Sequence, residues 1–436
     1  MKYLSKRILH LCCLFLTISL VNITHAEPTK SRDWKTKSGH TTNAKALKIS
    51  EGKVHFQKAN GETVQVSLNL LIEADKDFLT KHFGISPNEP EPDNTTKING
   101  SNAAPLTDLA EAQGEIVGPI NSDGSHYYLY LPKSLKKNRL APLLFYTHSG
   151  GAKKNGNLIK VLTDGAEALG WIMAISVESS NQNRGSGVAV AKSMKHILET
   201  WPVDKTRIHY TGNSGGAARA FRNSAAIRAY GVMPNVGYIP SGANIKTEVI
   251  YGLGGGNDYN RYLTAYAAYK MKKDGFHRMS PKGHGPSPAS YYVDGMIWMH
   301  CKYMKENKSE LRDEAQDFEA SIIHWINEVK KNDPQRAYSN ACVVRDIYEI
   351  SSENASVLSN IIKELAKDNN NVLYHQGLQD INELSRKHFA ALGENGGSKR
   401  KHSHPKSNKA AAKLKEKYAG VEAIIEILNA IMKKTV

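Results

Sequence analysis

Cysteine is scarce. The chain of 436 residues has four, and two of them, Cys12 and Cys13, stand within its first 26 residues. The other two, Cys301 and Cys342, are too few for a zinc site built on thiolates. In an exported chain they could form a single disulfide, and two buried free thiols is the other reading; spacing alone does not choose. Glycine and proline together number 50, close to ordinary usage, which excludes collagen, wholesale disorder and low complexity. Acid is the scarcer charge: 42 Asp and Glu face 58 Lys and Arg, a net +16. That balance favours anionic surfaces and polymers as neighbours and says nothing about the fold. Long apolar runs are missing beyond residue 23.

What is present begins with a leader. Lys2, Lys6 and Arg7 precede an apolar stretch over residues 8–23 that ends in Thr24-His25-Ala26. A positive start, a short apolar core and a small-residue exit read as a secretory signal peptide over 1–26, cleaved near Ala26. The protein is then expected to be secreted or periplasmic. A retained anchor is the alternative, and the stretch is short for a span of about 20 residues. Cleavage removes three bases and no acid, leaving +13.

Residues 27–86 read as a small β module. Val54 and Phe56 alternate with polar residues, as do Val64, Val66 and Leu68. In residues 45–49, Leu47 and Ile49 fall on one face. Gly52 and Asn60-Gly61 supply turns, and Asn-Gly is a strong hairpin signal. Residues 71–83 read as one amphipathic helix. Residues 87–113 have the proline, asparagine and acid content of a linker. From 114 to 330 the pattern becomes alternating strands and helices. Strands are expected at 127–131, 142–147, 171–177, 207–211, 236–239 and 248–253. Helices are expected at 158–169, 188–200, 214–228, 262–273 and 289–304. Apolar strands between helices predict a mostly parallel sheet covered on both faces. Residues 331–436 read as a separate, basic helical extension, most amphipathic at 355–366 and 421–432. Within it, residues 399–417 hold eight Lys or Arg against Glu416 alone. Such a segment is a solvated face or a tether to an acidic polymer or surface; export argues against nucleic acid as the partner.

The chemistry concentrates in Gly212-Asn213-Ser214-Gly215-Gly216, the one Gly-x-Ser-x-Gly of the chain. It follows an expected strand and opens an expected helix, the setting of a nucleophile elbow. Glycines on either side allow backbones to approach closely, and the helix N-terminus offers N–H groups to a developing oxyanion. A serine hydroxyl needs a base, and the order expected in such folds is Ser, acid, His. Asp258, just past the strand ending at Leu253, and His284, in Pro281-Lys282-Gly283-His284-Gly285, satisfy it. His277, Asp274 and Asp294 are rivals, but they sit on a strand or on helical stretches. Another glycine-rich loop, His148-Ser149-Gly150-Gly151, follows the strand ending at Thr147. It points to Gly150 and Gly151, with Gly215, as the backbone donors of an oxyanion hole. Gly252-Leu253-Gly254-Gly255-Gly256-Asn257 breaks the dinucleotide fingerprint at its sixth position, so no nucleotide cofactor is expected.

Two resemblances rest on these residues. Arg32-Asp33-Trp34 with the Asn60-Gly61 hairpin resembles the SLA1-homology domain, an SH3-like β-barrel. That resemblance implies either a plain structural barrel or one that, as in eukaryotic members, takes a peptide ligand. Residues 114 to about 306 resemble the α/β-hydrolase superfamily. Within it they are most similar to secreted esterases related to polyhydroxybutyrate depolymerases and to feruloyl and acetylxylan esterases. The motifs are Val203-Asp204-Lys205-Thr206-Arg207 leading into the elbow, then Asp258, then Gly283-His284-Gly285. The resemblance implies cleavage of carboxylic esters, including esters on polysaccharide or polyester, by a Ser214-His284-Asp258 triad through an acyl-enzyme. With 70 residues between Ser214 and His284 there is little room for a lid. A serine peptidase of the same fold and an inactive surface-binding protein remain the alternatives.

Overall fold

A computed structural model describes residues 27–36, 41–50, 53–68, 71–83, 112–136, 139–152, 157–160, 162–241, 243, 245–270, 274–394 and 405–433. The leader, nearly all of the linker and residues 399–404 of the basic segment lie outside the described residues. The chain divides into two compact units, residues 1–99 and 100–436.

In the first unit, strands β1 (Arg32–Lys35), β2 (Thr41–Ser50), β3 (Lys53–Lys58) and β4 (Thr63–Ser67) form an antiparallel sheet in chain order, followed by helix α1 (Glu73–His82). A bridge between Thr36 and Leu71 brings the end of β1 back to the segment after β4. The core is Trp34, Ala44, Ala46, Val54, Phe56, Leu71 and Leu79, and Trp34 Nε1 donates to the Ala44 carbonyl at 2.7 Å. Strict alternation put Leu47 with Ile49. The register instead shifts between Ala46 and Lys48. The bulge at Leu47 reverses the parity, so Ala44 and Ala46 face inward before it and Ile49 packs on the core after it.

The second unit is built on an eight-stranded sheet in the order β12-β11-β10-β9-β7-β8-β6-β5. Its strands are β5 (Ile116–Ser122), β6 (Ser125–Tyr130), β7 (Ala141–His148), β8 (Ile172–Ser176), β9 (Val203–Asn213), β10 (Gly231–Asn235), β11 (Val249–Gly255) and β12 (Gly275–Ser280). β6 runs antiparallel to both neighbours and the remaining pairs are parallel. This is the mostly parallel sheet with helices on both faces that the alternating pattern predicted. Along β7, Leu143 and Phe145 enter one core while Leu144 and Tyr146 enter the other, as the two-residue period of a strand buried on both faces requires. α4 (Ser186–Thr200), α5 (Gly215–Ile227) and α6 (Arg261–Tyr269) contribute to one core. The other takes α3 (Thr163–Leu169), which follows the short α2 (Asn157–Lys160), and α7 (Ala289–Glu306).

Two expectations need correction. The strand expected at 236–239 lies five residues earlier, as β10. Pro234 reads as a strand breaker, yet it pairs with Gly212 in the middle of the sheet; burial between two strands outweighs its missing N–H. The helices after residue 330 are also not a separate body. α8 (Arg312–Val329), α9 (Pro334–Val343) and α10 (Ser352–Leu365) share a core with α7 and the sheet through Trp325, Ala337 and Leu358. α11 (Asn369–Leu384), the one-turn α12 (Ala391–Glu394), α13 (Pro405–Lys417) and α14 (Glu422–Met432) follow. Their Tyr374, Ala411 and Ile427 form a further core with Tyr262 and Ala265 of α6 and Met279 of β12. The amphipathic stripes at 355–366 and 421–432 are real; their apolar partner is the eight-stranded sheet and its helices. Cys301 and Cys342 are both free and buried.

Candidate active site

Ser214 stands between β9 and α5 with φ +54° and ψ −118°, a region that costs a side-chain-bearing residue strain. The turn holds because its neighbours lack side chains. A Cβ on Gly212 would lie 2.5 Å from the Thr147 carbonyl oxygen, and one on Gly216 2.1 Å from the same atom. The Ser214 amide donates to Asn235 O at 2.9 Å, so the bend is tied to β10 as well.

The structure brings Ser214, His284 and Asp258 together. His284 Nε2 lies 2.9 Å from Ser214 Oγ, and His284 Nδ1 lies 2.8 Å from Asp258 Oδ1. Asp258 is fully buried, while His284 keeps a quarter of its side-chain surface open. A buried carboxylate on Nδ1 fixes the tautomer that leaves Nε2 free to accept the serine proton. The rivals are placed elsewhere. His277 is buried on β12, and burial pushes its imidazole down to about 3, so it stays neutral. Asp274 pairs with Lys302 at 3.3 Å and Asp294 with Arg336 at 2.8 Å.

The acid loop is locked from behind. Asp258 N donates to Gly255 O, and Arg261 N to Asp258 O. The buried Arg261 guanidinium donates to Gly256 O and, at 3.3 Å, to Ile431 O. The last helix of the chain therefore braces the turn that presents Asp258.

Three site residues escape the sequence reading. Tyr259 stacks on His284 with ring centroids 4.2 Å apart, and its hydroxyl lies 2.8 Å from Nε2. Desolvation, then Asp258 and Tyr238, push that hydroxyl above its ordinary value, so it is neutral. Adjacency to Asp258 is the one signal that could have found it. Asn235, fully buried, donates to Asn213 Oδ1 and to Gly285 O at 3.2 Å. Its own Oδ1 accepts from Ser287 Oγ at 2.6 Å. It thus joins the elbow to the His284 loop. Asn181 donates its backbone N–H to Ser149 O at 2.8 Å, and its carboxamide lies over Gly215, where a Cβ would meet it at 2.2 Å.

The oxyanion donors expected from the second glycine loop are not available in this geometry. Gly150 N donates to His148 Nδ1 and Gly151 N to His148 O, both at 3.0 Å. The loop satisfies itself as a turn. Gly215, the first residue of α5, has an N–H in the helix's first turn with no carbonyl four residues back to take it. Among the described residues, no group of three or more His, Cys, Asp or Glu is disposed to hold a metal.

Residues 22–86 match the family model described as SLA1 homology domain 1, SHD1. The small β module of the first unit is thus similar to the SLA1-homology domain. No curated protein sequence matches the chain. Among solved structures, one of two fungal esterases from Rhizomucor miehei is 12% identical, covering 45% of this chain and 88% of its own at a TM-score of 0.35. Est1E from Butyrivibrio proteoclasticus is 12% identical, covering 41% and 94% at 0.32. An S-formylglutathione hydrolase from Staphylococcus aureus is 10% identical, covering 42% and 96% at 0.34. Likenesses at this level carry no weight for the chemistry of the site, which stands on its own geometry.

Proposed function

We propose that the protein is a serine hydrolase of carboxylic esters, exported by its leader and open to esters carried on a polymer. The observation that carries this is the hydrogen-bonded series Asp258, His284, Ser214 at a strained elbow. His284 Nε2 takes the Ser214 proton as Oγ attacks the ester carbonyl. Asp258 stabilises the imidazolium without itself being protonated. The oxygen that becomes negative faces Gly215 N–H and the Asn181 carboxamide, in place of the tied Gly150 and Gly151. His284 then protonates the departing alcohol, leaving an acyl-enzyme on Ser214. Water, activated by the same imidazole, releases the acid.

The test is hydrolysis of a chromogenic acetate ester by the wild type and Ser214→Ala, beside a peptide panel. Loss of ester turnover in Ser214→Ala supports the reading. Full turnover in that variant ends it, and cleavage of peptides in preference to esters replaces it with a peptidase.

A further inference from the structure

Three arginines of the second unit are almost wholly buried, and one of them, Arg207, is paired with carboxylates. Arg207 pairs with Asp204 at 2.7 Å and with Glu314, and donates to Leu140 O at 3.0 Å. Arg261 donates to two backbone carbonyls, as described above. Arg278, on β12, is 3% exposed. Its Nη2 donates to Tyr374 Oη at 2.7 Å, and its guanidinium lies 4.2 Å from the centroid of the Tyr291 ring. Its Nε has no partner, and among the described residues no carboxylate lies within 4.0 Å of it. A phenol and an aromatic face offset less of the cost of burying a cation than a carboxylate does. Asp294, which lines the same cavity, is committed to Arg336 Nε at 2.8 Å and Asn340 Nδ2 at 2.9 Å.

Arg278 lines a cavity of about 330 Å³. Its buried end is formed by Tyr251, Trp298, Asn340 and Leu378, and its rim by the exposed Asp346 and Gln379. None of Ser214, Asp258 or His284 lines it.

We propose that this cavity binds a small organic monocarboxylate, its anionic end on Arg278 and its apolar body against Tyr251 and Trp298. Asp294 and Asp346 also line the cavity and disfavour a dianion such as inorganic phosphate more than a monoanion, and the aromatic walls do not replace phosphate's strong hydration. The cavity is large enough for a single-ring acid. This assignment does not rest on the esterase reading, because Ser214 takes no part in it.

The test is calorimetric titration of the full chain with benzoate, alongside inorganic phosphate at matched ionic strength. Saturable benzoate binding is expected, equal in the wild type and Ser214→Ala, and weakened by about tenfold or more in Arg278→Gln, which loses the charged partner. Gln379→Trp changes an exposed rim residue and leaves Arg278 intact, so it keeps the question answerable if Arg278→Gln does not fold; it should block binding as well. Unchanged benzoate affinity in Gln379→Trp, or in folded Arg278→Gln, overturns the site. Absence of saturable binding in the wild type does so too. Phosphate binding more tightly than benzoate overturns the monocarboxylate assignment.

Discussion

The two sides of Ser214 are built differently. On one side, the groups that would handle protons are held in place by buried side chains: Asp258 bonds to His284, Asn235 to the loop that carries His284, and Arg261 to the acid turn and the last helix. On the other side, the groups that would receive the oxyanion are a backbone N–H at Gly215 and the side chain of an exposed loop residue, Asn181. There the glycine loop bonds to itself. Chemistry that depends on protonation needs particular residue types in fixed surroundings. Hydrogen-bond donation to an oxyanion needs only an N–H in the right place, which nearly any residue supplies.

The proton-handling side should therefore fail most severely when one group is changed. Asp258→Asn keeps the shape and loses the carboxylate that selects the tautomer, and kcat for a chromogenic ester should fall by about 10³–10⁴. A loss below tenfold in a folded variant would place the acid elsewhere. Removing the side-chain donor across the site, by Asn181→Ala, should lower kcat by about 10–10² with KM little changed. A rise in KM alone would make Asn181 a substrate contact instead. Asn235→Leu leaves the buried Asn213 and Ser287 without their partner. It should cost about 1–3 kcal/mol of stability by chemical denaturation, with a loss of kcat that exceeds any change in KM; full activity would remove it from the proton-handling side.

Tyr259→Phe keeps the stack on His284 and loses the hydroxyl beside Nε2, so it separates the two contacts. A change in kcat of only a few fold is expected, with a larger one in Tyr259→Ala, because the ring face stabilises the imidazolium more than the hydroxyl does. Equal losses in both variants would give the role to the hydroxyl.

Away from the site, His277 offers a control on stability alone. Its imidazole is pushed down by burial to about 3 from an ordinary 6.5. The unfolded chain thus binds this proton more readily than the folded one. The stability contributed is present above pH 6.5 and is lost as pH falls from there towards 3, by on the order of 4–5 kcal/mol. His277→Phe should flatten that part of the acid denaturation curve; an unchanged curve would mean that His277 is not buried neutral.

The sequence was most legible where chemistry or periodicity restricts residue choice. The elbow needs glycines at 212 and 216 because backbone oxygen occupies the space of a side chain. The two-residue and 3.6-residue periods place the apolar residues of β7 and α10. Legibility failed where tertiary context overrode a local rule. Pro234 hid β10, and the bulge at Leu47 reversed a strand's parity. The stripes at 355–366 and 421–432 were visible, but nothing local in residues 331–436 says that they pack on helices and a sheet earlier in the chain. In the site, Ser214, Asp258 and His284 were readable as residue types in a required order. Asn181 and Asn235 were not, since neither carries a local pattern and each acts only through neighbours brought close by folding.

The central claim is that Ser214 is a nucleophile activated by His284. Mass spectrometry of the intact, folded chain after exposure to a fluorophosphonate tests it directly. The account predicts one adduct, located on the peptide that contains Ser214, with labelling slowed by about 10³ or more in His284→Ala. A folded wild type that takes no label, or a His284→Ala variant labelled at the wild-type rate, would contradict it.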